Sequence, residues 1–94
     1  MRVRWTTPAR EQLVSAFPFI SEDNPKAAAR TVGQIWDGAE MLGRHPMLGR
    51  PGRVPGTREL VIRDAPFVVA YRIGPKAVEI LAVMRAARRW PEEF

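Results

Sequence analysis

The fold is decided by residues 57–84, which read TRELVIRDAPFVVAYRIGPKAVEILAVM. Three apolar-rich runs of strand length, at 57–63, 67–73 and 77–84, are separated by the turn-like sequences Asp-Ala-Pro and Gly-Pro-Lys. Consecutive strands joined by such short loops pair antiparallel to one another. The segment therefore predicts an antiparallel meander of three strands.

The sequence before this meander predicts one further strand and two helices. Residues 2–5 alternate basic and apolar side chains, as a strand does. The first helix is expected to begin with Thr7 as its N-cap, and Pro18 predicts either a kink or an end near that residue. A second helix is expected to begin at the Asn-Pro pair 24–25 and to end at Gly43, a typical C-terminal cap. Its apolar stripe steps by four and three residues: Ala28, Val32, Ile35, Ala39 and Leu42.

The order β-α-α-β-β-β predicts an α+β fold, an antiparallel sheet with two helices packed on one face, in a single domain spanning residues 1–94. Residues 43–56, with four glycines and three prolines, are expected to form an irregular loop. Strand alternation assigns these side chains to the face under the helices: Leu60, Ile62, Phe67, Val69, Tyr71, Ile73, Val78, Ile80, Ala82 and Met84. The opposite face is mixed, with an apolar centre and charged ends.

Charged residues on that mixed face lead to two expectations. Arg72 falls among Glu59 and Glu79, which predicts a salt bridge across the strands. Four other arginines are expected to converge at one corner of the sheet: Arg63, Arg85, Arg88 and Arg89. Such a corner is either a ligand-facing site or a solvated basic edge.

The composition restricts the classes of function. The chain has 94 residues, no cysteine and a net charge of +5, and thirteen of its fifteen basic residues are arginine. Basic and acidic residues are equal in number over 1–43, whereas 44–94 carry ten basic and five acidic ones. This uneven charge favours a polyanionic partner, although arginine-rich codon usage also explains the preference for arginine over lysine. Without a signal peptide, a membrane-spanning stretch or a ligand cluster, we expect a cytoplasmic protein with no membrane association, metal or cofactor.

Several short motifs, in this order, resemble those of the RelE/ParE superfamily of bacterial toxins. The resemblance covers nearly the whole chain and lies in these segments: Asn24-Pro25, Pro46 with Gly49-Arg50, Gly56 to Val61, Phe67 to Ile73, Val78 to Val83, and Ala87 to Pro91. It implies the βααβββ fold, and a role as the growth-inhibiting toxin of a type II toxin–antitoxin (plasmid stabilisation) module. It also implies a cognate antitoxin that wraps the toxin in a hetero-oligomeric complex. On the mixed face, the residues suited to such a partner are Val61, Ala70, Leu81 and Val83.

The superfamily has two mechanisms, and both remain open for this sequence. ParE-like toxins poison DNA gyrase and need no catalytic group, whereas RelE-like toxins cut messenger RNA on the ribosome. For a nuclease, the catalytic candidates are Arg63 and Arg85, and in either case Arg63, Arg85, Arg88 and Arg89 are candidates for binding the target or its phosphates. Many relatives have histidine at the position of Arg85, and RelE has arginine at that of Val68, so the sequence favours the gyrase mechanism.

Two further residues bear on this choice, and a third function remains open. His45 is expected to be a surface or loop-packing residue rather than a catalytic base. Tyr71 is expected to pack in the core rather than to take part in catalysis. A degenerate, non-toxic nucleic-acid-binding relative is a further alternative.

Overall fold

The computed structural model describes residues 1–21, 25–63, 65–87 and 89–94, and for residues 17–21 it describes the backbone alone. Its elements are β1 (Arg2–Trp5), α1 (Thr7–Ser21), α2 (Pro25–Met41), β2 (Arg50–Pro51), β3 (Arg58–Val61), β4 (Phe67–Ile73) and β5 (Ala77–Arg85). Asn24, the predicted start of the second helix, lies outside the described residues. No helix in the described ranges is long and apolar enough to cross a membrane.

The five strands form one sheet in the order β1-β5-β4-β3-β2, and both helices pack on one of its faces. The predicted α+β fold is confirmed, with the antiparallel meander in place. Two details differ from the prediction. β1 pairs parallel to β5, and the loop expected to be irregular contains the short strand β2, which pairs antiparallel with β3.

The helix ends differ from the sequence prediction by small, explicable amounts. Thr6, not Thr7, caps α1, because its side-chain oxygen accepts a hydrogen bond from the amide of Ala9. The helix continues past Pro18 to Ser21, so it does not end near the proline. Gly43 follows α2 but does not adopt a left-handed conformation. Instead, a Cβ there would lie 2.6 Å from the carbonyl oxygen of Met1, so its lack of a side chain permits a close approach of the two segments.

An irregularity in the β4–β5 pairing changes which side chains face the helices. Ile80 pairs with Tyr71 and Ala82 pairs with Ala70, so Leu81 is an extra residue in β5. Beyond this bulge the alternation is reversed. Val83 joins the core under the helices, whereas Ala82 and Met84, predicted for that face, lie on the opposite one.

The loop before β3 is fastened to the core by the hydroxyl of Tyr71. This fully buried side chain donates a hydrogen bond to the carbonyl of Pro46 at 2.6 Å and accepts one from the amide of Gly49 at 2.9 Å. A Cβ on Gly49 would lie 2.6 Å from that hydroxyl, so only glycine fits there. Arg58 adds a hydrogen bond from its Nε to the same residue's carbonyl at 3.0 Å. The loop is therefore well anchored.

Candidate functional site

The face of the sheet opposite the helices, called the open face below, carries a row of three charged side chains. Glu79 on β5 is paired with Arg4 on β1 and with Arg72 on β4, the latter at 3.1 Å. The predicted salt bridge of Arg72 across the strands is thereby confirmed. The hydrogen bonds from Arg72 and then Arg4 hold the pKa of the Glu79 carboxyl below its usual value.

A second carboxylate on the open face, that of Glu59, is buried, with 2% of its side chain exposed. Arg53 donates to it from its backbone amide at 2.7 Å, from Nε at 3.1 Å and from Nη2 at 3.2 Å. Arg50 lies 3.5 Å away. Burial alone would raise the pKa of Glu59, but the hydrogen bonds from Arg53 and the charges of Arg53 and Arg50 outweigh it, so the pKa is lowered.

The centre of the open face is covered by the end of the chain itself, residues 89–94, called the tail below. Trp90 packs on a small cluster formed by Ala70, Ala82 and Met84. The guanidinium of Arg53 lies 3.8 Å from the centroid of the Trp90 ring, on its face, a cation–π contact. Glu59 thus positions Arg53, which in turn holds Trp90 over the sheet. Sequence reasoning missed this arrangement, since no periodicity marks a single aromatic residue after the last strand.

The four side chains proposed for antitoxin binding do not form one accessible surface. Val83 packs in the core under the helices, because the bulge at Leu81 reverses its direction. Ala70 is fully buried and Trp90 packs on it. Leu81 is nearly buried, in the floor of a groove walled by the tail, whereas Val61 is 53% exposed. The predicted apolar centre of the open face exists, but the chain's own tail covers it.

Two of the four arginines predicted to converge at one corner, Arg63 and Arg85, lie at the same end of the sheet, because Arg85 pairs with Phe67 and the carbonyl of Phe67 accepts a hydrogen bond from the amide of Ile62, the neighbour of Arg63. Arg63 lines a groove beside α2, Arg85 lines a groove beside α1, and Arg89 lines the groove along the tail. Arg88 lies outside the described residues. The convergence of these arginines on one ligand stays a prediction.

Two side chains that acid–base chemistry could use, Tyr71 and His45, lie at the loop that follows α2. The Tyr71 hydroxyl makes both of its hydrogen bonds within the core, as expected for a packed residue. His45 is exposed in the turn that follows α2. Within the described ranges, no group of three or more histidine, aspartate or glutamate side chains could hold a metal ion. In the described structure, the Tyr71 hydroxyl is therefore committed to the fold.

Comparison with known proteins connects this geometry to a family. The sequence model described as "ParE toxin of type II toxin-antitoxin system, parDE" matches residues 3–90. The chain belongs to the ParE toxin family. The match includes both helices and all of the sheet except Arg2, the first residue of β1, and it ends at Trp90, the residue that covers the open face.

Two relatives of this ParE chain agree with the assignment. A protein of Sinorhizobium fredii (strain NBRC 101917 / NGR234), described as "Putative toxin Y4kP", is 45% identical over 91 residues, which cover 97% of this chain and 94% of that protein. Among solved structures, a chain of the "Chromosomal ParDE TA system from P. aeruginosa" matches with a TM-score of 0.80 and 28% identity. The match covers 90% of this chain and 95% of that one.

Proposed function

We propose that this ParE-family chain acts in the cytoplasm as the toxin of a type II toxin–antitoxin pair, and that it inhibits growth by binding DNA gyrase. A cognate antitoxin neutralises it in a hetero-oligomeric complex. The family membership supports the toxin role, and the relation to a ParDE pair supports an antitoxin partner. Choosing gyrase over messenger RNA rests on the site itself.

One observation carries that choice: the Tyr71 hydroxyl, a group that could serve as a base, is engaged in two hydrogen bonds within the fold. Cleavage needs a base for the attacking hydroxyl and cations around the phosphate. Here the Tyr71 hydroxyl donates to the carbonyl of Pro46 and accepts from the amide of Gly49, so it is committed to holding the loop. Inhibition by binding requires only an accessible, complementary surface, and Arg63 and Arg85, which lie at the same end of the sheet, offer contacts for an anionic target.

Induced expression without antitoxin separates the two mechanisms. DNA synthesis is expected to fall before protein synthesis in pulse labelling, with gyrase–DNA adducts accumulating in the cells. The purified chain is expected to inhibit supercoiling by purified gyrase. A primer-extension map of cellular transcripts serves as the parallel readout, and cuts phased with codons, together with early arrest of translation, would overturn the gyrase proposal.

Single substitutions then test the arginines. Arg63→Ala and Arg85→Ala are expected to weaken gyrase inhibition while the fold is retained, with Arg30→Ala on the exposed side of α2 as the matched control. Equal inhibition by all three variants would remove Arg63 and Arg85 from the target surface. Normal growth on expression of the folded wild-type chain would instead favour a degenerate, non-toxic relative.

A further inference from the structure

Within the described residues, the outer edge of β1 is a sheet edge of four residues that has no neighbouring strand. β1 lies at the end of the strand order and pairs only with β5. In the described structure, hydrogen bonds from its backbone reach β5 but none reaches a group on its outer side. The opposite edge is β2, which has two residues, and one of them is Pro51, which lacks an N–H group. A partner strand could therefore form backbone hydrogen bonds along four residues at β1, but along hardly any residues at β2.

On the open face, this edge borders a basic groove. The groove is lined by Arg2, Val3, Arg4, Gly74, Pro75, Lys76, Ala77 and Glu79. Glu79 is the single acidic side chain among these residues, and Arg4 and Arg72 already share it. The exposed Arg2 and Lys76 make no ion pair in the described structure. Three cations against one carboxylate leave the groove with excess positive charge, which attracts acidic side chains.

On the helix face, the same edge is bordered by two stacked tryptophans. The rings of Trp5 on β1 and Trp36 on α2 lie 5.2 Å apart between centroids and 9° from parallel. Trp36 remains 45% exposed, and Val3 and Trp5 are only half-buried although they point towards the core. The indole nitrogen of Trp5 is buried without a hydrogen-bond partner in the described structure. A strand added at this edge would place apolar side chains against Trp36 and bury the exposed part of the two stacked rings.

We propose that the outer edge of β1 receives an extended segment of the antitoxin, in which acidic side chains facing Arg2 and Lys76 alternate with apolar ones facing Trp36. The proposal rests on the proposed function, because it names the place where the neutralising partner adds a strand. Backbone hydrogen bonds supply affinity in this mode, and the alternating side chains supply specificity.

The positive charge of the β1 edge favours an acidic antitoxin segment over a second copy of the chain. Two β1 edges paired with each other would bring Arg2 and Arg4 of one copy against the same residues of the other, and like charges opposite one another disfavour that pairing. An acidic segment meets the same arginines with attraction. The edge is thus protected against self-association while remaining open to the partner.

The test measures neutralisation and binding by the antitoxin encoded beside this chain. Arg2→Glu and Trp36→Ala are expected to remain toxic but to bind the purified antitoxin roughly two- to fivefold more weakly, the change associated with one favourable surface charge pair or one apolar contact. Arg30→Glu is the matched control, since it is an exposed arginine on α2, about 9 Å along the helix from Trp36. It is expected to bind as the wild type does.

Hydrogen exchange gives a second readout that does not depend on a variant. Backbone amides of β1 are expected to gain protection when the antitoxin binds, whereas those of β2 are not. The proposal would be overturned if Arg2→Glu and Trp36→Ala bound the antitoxin as tightly as the wild type and β1 gained no protection. Growth inhibition by the same chain would show that the proposed toxin function still holds.

Two other occupants would also overturn the proposal. One is a dimer of the free chain that Arg2→Glu strengthens or breaks in sedimentation. The other is binding of a 20-nucleotide RNA that Arg2→Glu abolishes while antitoxin affinity is unaffected. A wild-type chain that neither inhibits growth nor binds the antitoxin would contradict the proposed function itself.

Discussion

Replacing Glu59 with glutamine tests the contact chain that runs from the sheet through Arg53 to Trp90. The substitution keeps the shape of the side chain and removes its charge. The carboxylate is 2% exposed and accepts three hydrogen bonds from Arg53, with Arg50 at 3.5 Å. Glutamine cannot accept all of them, and its amide group would place two donors among the cationic donors.

The expected cost follows from these contacts. A hydrogen bond to a charged group contributes about 1.5–3 kcal/mol, and breaking a fully buried ion pair costs about 3–5 kcal/mol. Because Arg53 and Arg50 are 42% and 61% exposed and can be rehydrated, the lower range applies, and we expect the free energy of unfolding to fall by about 2 kcal/mol. For a domain of this size, that corresponds to a melting temperature lower by roughly 8–16 °C.

Urea denaturation followed by tryptophan fluorescence measures this change, and Glu79→Gln is its matched control. Glu79 also lies between two arginines on the open face, but its side chain is 20% exposed and its partners are 66% and 51% exposed. Its replacement is expected to leave the unfolding midpoint almost unchanged, because water screens such pairs. A Glu59→Gln variant within about 0.5 kcal/mol of the wild type, or no less stable than Glu79→Gln, would refute the reasoning.

Three other predictions concern stability. The pKa of Glu59 lies below the usual 4.5, so its stabilisation is complete above about that pH and is lost as the pH falls through the folded-state pKa. Glu59→Gln should therefore show a weaker decline of the urea midpoint below pH 4.5. Tyr71→Phe removes the partner of the buried Gly49 amide and of the part-buried Pro46 carbonyl, so it should lower the free energy of unfolding by about 1–3 kcal/mol, with faster hydrogen exchange of the Gly49 amide. Trp90→Ala uncovers an apolar cluster, so it should cost about 1–3 kcal/mol in urea denaturation and increase binding of an apolar dye by the folded chain. If any of these variants behaved like the wild type in its assay, the contact assigned to the replaced residue would be contradicted.

The elements with strong local signals could be predicted from the sequence. The apolar stripe of α2 is one, since Ala28, Ile35, Ala39 and Leu42 are all buried. The meander is another, because its two turns are marked by proline. Charge alternation also predicted the pairing of Arg72 with Glu79. In each case the determining interactions lie within a few residues along the chain or on an adjacent strand.

The bulge in β5 could not be predicted, and this error moved the candidate site. Residues 80–84 are all apolar, so no polar side chain marks the point at Leu81 where the alternation reverses. Val83 was therefore assigned to the wrong face, as were Ala82 and Met84. The tail was missed for a different reason. The position of Trp90 depends on Arg53, which is 37 residues away and is itself held by Glu59, and no local pattern reports such a contact.

The structure also changes the meaning of the basic excess in residues 44–94. Arg50 and Arg53 lie at Glu59, Arg72 lies at Glu79, and Arg58 donates to carbonyls of the preceding loop. Much of the arginine in this half of the chain therefore stabilises the fold. The positive charge of the β1 edge, by contrast, combines the exposed Arg2 with Lys76 from the turn before β5. Parallel pairing of β1 with β5 brings these residues together, so the charge that recognises a partner depends on topology and cannot be located by counting along the sequence.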